Sequence, residues 1–155
     1  AELASKKFTR EHGGRRMEEQ LTEQLHRWKE SMEQAWRRIP KPYRNDHTVR
    51  RTLQCHLYGR LIEAGFKVVA DYLPPRIADR PVDLIALNAE MEIVYALCID
   101  NLVSLPAVKS LSSFEAANKA IFTTSFLEKK VKESRFFLKP EIEHVHLKPF
   151  EQMDK

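Results

Sequence analysis

Cysteine is scarce in this chain of 155 residues, which has only Cys55 and Cys98. The pair forms neither a disulfide framework nor a thiolate metal-ligand spacing, so both read as core thiols. Long apolar runs are also missing. The longest spans Ile93 to Ile99, too short for a membrane helix. Glycine occupies four positions, two of them adjacent at Gly13 and Gly14, where they weaken any helix that crosses them. The opening "AELASKKFTREHGGRRMEEQ" has no apolar signal-peptide region and no initiator Met. A processed chain in the cytoplasm is therefore expected, rather than a secretory precursor. Neither an internal repeat nor a low-complexity tract is present.

What is present suits one globular domain with an appendage: 43% apolar and 31% charged residues, with a net charge of +4. The charge is uneven. Residues 1–60 carry 14 Lys and Arg against 8 Asp and Glu, whereas the remainder carries 12 against 14. A basic front of this kind fits a nucleic-acid or acidic-protein surface, and a solvated helix face gives the same count. Arg37, Arg38, Lys41, Arg44, Arg50 and Arg51 are the candidate nucleic-acid contacts. No interleaved aromatic platform accompanies them, and no helix-turn-helix or zinc module is apparent.

From Arg15 to about Ile39 the apolar positions Leu21, Leu25, Trp28, Met32, Ala35 and Ile39 follow a heptad seam. The spacing predicts a long amphipathic helix over 15–40, preceded by a frayed arm over 1–14. Two readings of the seam stay open: an interface between two copies in a homodimer, or packing on the chain's own domain. Trp28 and Trp36 read as packing anchors or interface hot spots.

Pro40 and Pro42 stop this helix. "NDHTVRRTLQCHLYGRLIEAGF" opens a second, with Asn45, Asp46 or Thr48 as N-cap, Gly65 as stop, and Val49, Leu53, Leu57, Leu61 and Ala64 as the apolar face. Beyond Gly65 the period falls to two. "FKVVADYL" is a strand, and "VDLIAL" and "EIVYALCID" make a hairpin over 82–100 around "NAEM". Ser112 with Glu115, and Ser125 with Glu128, have capping-box spacing and predict two helix starts. "AIFTTS" and "IEHVHLKPF" supply two more strands. The order α, α, β, β, β, α, β, α, β predicts an α/β domain over 45–150, a mixed central sheet flanked by helices, with a tail over 151–155.

A helix ending at Gly65, a strand, then a hairpin running from "RPVDLIAL" to a tip at "CID" resembles the restriction-endonuclease-like, or PD-(D/E)-X-K, superfamily. The resemblance covers roughly residues 46–147, and "NKAIFTTSFLEKKV" is similar to the strand and helix that follow the core motif in Mrr-type members. It implies Asp83 as the first acid and an acid-X-Lys triplet closing the next strand. It also implies Mg²⁺ or Mn²⁺ between the carboxylates, polarising a phosphodiester and activating water. Here the triplet is Cys98, Ile99, Asp100. A thiol stands at the acid position, and hard Mg²⁺ prefers oxygen.

Asp83 and Asp100 can share a metal only if their tips converge, with Glu63 as an auxiliary acid and Lys109 or Lys119 as a migrated lysine. The expectation is a catalytically silent nuclease-like domain without a cofactor, acting as an interaction or assembly module with DNA binding left open. The alternative is a divalent-metal-dependent DNA nuclease using Asp83, Asp100 and Glu63. No partner protein can be named from sequence, and no membrane association is expected. His144 and His146 share one face of a strand, as a surface pair or as two metal ligands lacking a third. Thr123, Thr124 and Ser125 read as a strand end and N-cap, or as a phosphate cradle at a helix start.

Overall fold

The structure, a computed structural model, describes the backbone of residues 10–150 and the side chains of residues 18–150. Residues 1–9 of the expected arm and the tail 151–155 lie outside the described residues. Helix α1 runs Arg10–Arg38, so it takes in Gly13 and Gly14 instead of starting after them. Propagating an established helix costs little per residue, and two poor formers lower its stability without ending it.

The seam of α1 is buried within the chain. Leu25, Trp28, Met32, Ala35 and Ile39 lie in the main core and Leu21 packs against it, with Met32 at 0% exposure. Trp28 meets the Tyr95 ring edge-on at 4.9 Å. Of the two readings of the seam, packing on the chain's own domain is the one these contacts make, and an interface between two copies through the same six side chains would require α1 to leave the sheet it covers. The chain's last described segment straps the helix down. Glu33 accepts from the Lys148 amide at 2.6 Å, Arg37 donates to the Pro149 carbonyl at 2.6 Å, and the Phe150 ring lies 6.1 Å from Trp36. Past the helix end, Arg44 donates to the carbonyls of Arg37 and Ile39 at 2.9 and 2.8 Å. A guanidinium thus satisfies two orphan C-terminal acceptors.

Helix α2 spans Asp46–Glu63. The Asn45 side chain accepts from the Thr48 amide and the Thr48 hydroxyl from the Asn45 amide, both at 3.0 Å, which makes a reciprocal cap. Gly65 follows with φ of 96°, the left-handed conformation that closes helices. Val49, Leu53, Leu57 and Leu61 are buried as the pattern predicts, whereas Ala64 is exposed. Gly59 is a different matter. It lies inside α2, and a Cβ there would meet nothing within 4 Å. The helix thus gives up about 1 kcal/mol relative to alanine with no close packing to require it.

Five strands cross one sheet in chain order: β1 (Lys67–Tyr72), β2 (Val82–Leu87), β3 (Ile93–Asp100), β4 (Asn118–Thr123) and β5 (Ile142–His146). The first three are antiparallel, and β3, β4 and β5 are parallel. The β2–β3 turn is held by Asn88, whose side-chain oxygen accepts from the amides of Glu90 and Glu92 at 3.0 and 2.9 Å. Helices α3 (Leu105–Ser112) and α4 (Glu128–Ser134) make the parallel crossovers. Ser104 caps α3 by accepting from Ala107 at 3.2 Å, with Pro106 in the first turn. Ser112 therefore ends a helix instead of opening one, because a better start lies upstream. At α4, Leu127 is the N-cap, and Ser125 accepts the Leu127 amide at 3.0 Å from two positions further out.

Alternation along β3 divides the core. Tyr95, Leu97 and Ile99 join α1 and α2 on one face, whereas Ala96 and Cys98 join Val108 and Leu111 of α3 on the other. The result is a mixed α/β architecture with helices on both faces. No described helix is long and apolar enough to cross a membrane.

Candidate functional site

Parallel pairing brings strand ends into line. Asp100 of β3 is in register with Thr123 of β4, and Thr123 with His146 of β5. A row of polar residues therefore closes the carboxyl ends of these strands, the place where α/β sheets commonly hold ligands.

Asp83 and Asp100 do converge there, on a guanidinium. Nη2 of Arg80 lies 3.1 Å from Asp83 Oδ2 and 3.2 Å from Asp100 Oδ1. The three side chains are 17%, 18% and 13% exposed, respectively. The loop leading into β2 delivers Arg80. Its carbonyl accepts from Ser110 Oγ at 2.5 Å, and its Nη1 donates to the Pro81 carbonyl. Three further contacts hold the carboxylates. Asp83 Oδ2 accepts the Ile99 amide at 2.6 Å, Asp100 Oδ2 accepts Ser104 Oγ at 3.0 Å, and Arg50 Nη1 stands 3.7 Å from Asp100 Oδ1. Pairing of both carboxylates with one guanidinium, backed by these hydrogen bonds, is what makes a partly desolvated ion cluster tolerable.

Burial pushes the Asp83 carboxyl above the usual range, outweighing the pull of Arg80 and the Ile99 amide. For Arg80, burial alone would lower the pKa, but the anionic forms of Cys98, Asp83 and Asp100 raise it. Burial pushes the fully enclosed Cys98 thiol up to about 12, so it is neutral at physiological pH and unsuited to ligation or nucleophilic attack.

These residues do not fit the divalent ion that the family resemblance implies. Mg²⁺ requires about six oxygen ligands in near-octahedral geometry. Two carboxylates converge here, the third position holds a protonated thiol, and a guanidinium already bridges the carboxylates. Among the described residues no group of three or more His, Cys, Asp or Glu could hold a metal ion.

The other candidates are scattered. Glu63 is exposed and pairs with Arg60 at 3.7 Å, and α2 rises about 20 Å between Arg50, beside Asp100, and Glu63. The auxiliary-acid role is thereby corrected. Lys119 sits at the other end of β4, opposite Ala96, and donates to the Phe114 carbonyl at 2.8 Å. Lys109 is exposed on α3. Of the proposed nucleic-acid contacts, Arg37 and Arg44 cap backbone carbonyls and Arg50 pairs with Asp100. Arg51 pairs with Asp71 at 3.3 Å, while Arg38 and Lys41 make no ion pair among the described residues.

His144 Nε2 and His146 Nδ1 both bond the buried Thr123 hydroxyl, at 2.8 and 2.9 Å. One hydroxyl proton serves one imidazole, so the other ring donates to the oxygen. Burial, with Arg135 and His146, lowers His144 to about 4.

Sequence reading missed Arg80, although "RPVD" placed it three residues before Asp83. It also missed Gln54, which donates to the Asp83 carbonyl at 2.9 Å and to Asp71 at 2.7 Å. Comparison of the chain with family models, curated proteins and solved structures yields no match.

Proposed function

We propose that this chain is a catalytically silent domain of the restriction-endonuclease-like type, acting as an interaction or assembly module. The element order supports the type: a helix, three antiparallel strands, a crossover helix and a parallel strand, with Asp83, Cys98 and Asp100 at the tips of one hairpin. The observation that carries the silent reading is the Arg80 guanidinium between Asp83 and Asp100. It supplies from within the chain the positive charge that a metal would otherwise bring, and a fixed guanidinium offers neither an open coordination position nor a bound water. Nucleic-acid binding has weaker support, because four of the six expected cations already donate within the chain.

The test is incubation of plasmid and single-stranded DNA with the wild type, Asp83→Ala and Asp100→Ala in Mg²⁺ and then in Mn²⁺. No cleavage is expected in any sample. Cleavage by the wild type that disappears in both variants would sink the proposal and install the metal-dependent nuclease in its place.

A further inference from the structure

Beside its buried seam, α1 carries a polar stripe that includes Ser31 and Arg38, and α2 presents His56, Gly59 and Arg60 towards it. Together they line an open groove of about 710 Å³, within the usual size of small-molecule sites, roughly 300–1,000 Å³. Ser31 Oγ and His56 Nε2 join the two walls at 2.6 Å. Three guanidiniums, from Arg27, Arg38 and Arg60, face the groove against two carboxylates. Glu63 pairs with Arg60 at 3.7 Å, Glu30 meets His26 at 3.1 Å, and Arg27 stands 4.0 Å from Glu23 and donates to Gln24 at 3.0 Å. Arg38 forms no ion pair or side-chain hydrogen bond among the described residues. Burial, then Arg38 and Arg60, lower His56, while Glu63 opposes them.

Two further features narrow the ligand. No Phe, Tyr or Trp lines the groove, so it offers no ring on which a base could stack. Gly59 leaves one wall bare where a Cβ would meet no neighbour, and neither close packing nor a left-handed backbone requires glycine there. A wall without a side chain beside guanidiniums leaves room for a phosphate, which arginine recognises through paired N–H donors.

We propose that the groove between α1 and α2 binds a small, non-aromatic, phosphate-bearing anion, gripped between Arg38 and Arg60 across the bare backbone at Gly59. The site is independent of the strand-end cluster and of the nuclease-like reading.

Titration calorimetry of the full chain with inorganic pyrophosphate at low salt tests it. Saturable one-to-one binding is expected, weakening as salt rises. Arg38→Ala should reduce affinity about tenfold or more, the scale of a lost charge-assisted contact. Gly59→Leu should do the same by filling the groove. Its side chain enters open space, and leucine is the better helix former, so thermal unfolding should show an intact fold. The absence of saturable binding at millimolar pyrophosphate would overturn the proposal, as would wild-type affinity in either variant.

Discussion

Arg80 at the strand ends sits between two carboxylates, whereas Arg38 in the helix groove only shares its lining with Glu30 and Glu63. The first is 17% exposed and fixed by two carboxylates at 3.1 and 3.2 Å, whereas the second has no ion partner among the described residues. The difference follows from solvent. Removing water from a charge is expensive, so the strand-end guanidinium persists only with its counter-charges supplied in full. In the groove, water carries that cost, and the charge stays available to a ligand. Charge density in a sequence therefore says little about binding until burial separates cations that hold the fold from cations that face outward.

Breaking the strand-end cluster should have the largest effect. Arg80→Ala leaves Asp83 and Asp100 facing each other without their common partner, at an expected cost of about 3–5 kcal/mol in urea unfolding. Adding Asp83→Asn and Asp100→Asn should recover much of that loss by removing the repulsion. An equal loss in both backgrounds would mean that Arg80 acts through packing alone.

Acid should sharpen the contrast at an intermediate scale. Each region has a histidine below its ordinary value: His144, lowered to about 4 by burial and then Arg135 and His146, and His56, lowered by burial and then Arg38. The unfolded His144, at 6.5, takes up a proton before the folded one does. Stability from His144 is therefore intact above pH 6.5 and declines as pH falls towards 4, at a slope that solvent screening of a half-buried ring holds below the about 1.4 kcal/mol per pH unit of a shielded group. Urea midpoints at neutral and acidic pH measure the slope, and His144→Gln should flatten it. An unchanged slope in that variant would remove His144 as its source.

Gly59→Ala should produce the smallest effect, a gain of about 1 kcal/mol in unfolding free energy. A loss instead would mean that the groove wall is more crowded than its geometry indicates.

Periodic elements were legible before any coordinates. The α1 seam, the α2 face with its Asn45 cap and Gly65 stop, and the hairpin over 82–100 all follow from local pattern, because burial on one face imposes a repeat. Boundaries were less legible. Gly13 and Gly14 did not stop α1, and Ser112 did not start a helix, since propensity and capping spacing yield to the neighbouring turns. Asp83 and Asp100 were named as a pair on the condition that their tips converge, but Arg80 was invisible as their partner. A single arginine in a loop has no periodicity, and only the backbone path fixes where its long side chain ends. Glu63 failed for the reverse reason: proximity to a helix end in sequence carried no information about which end of the sheet that helix end would face.

The strap across α1 sets an order of events during synthesis. Each strand of the sheet can pair with the one made just before it, so β1 to β5 assemble largely by short-range steps. Helix α1 emerges before any strand, yet its bond from Arg37 to Pro149 closes across 112 residues. Until the segment at Pro149 leaves the ribosome, the apolar seam lacks part of its cover, so a nascent chain stalled shortly before Pro149 should attract chaperones more strongly than one in which that segment has emerged.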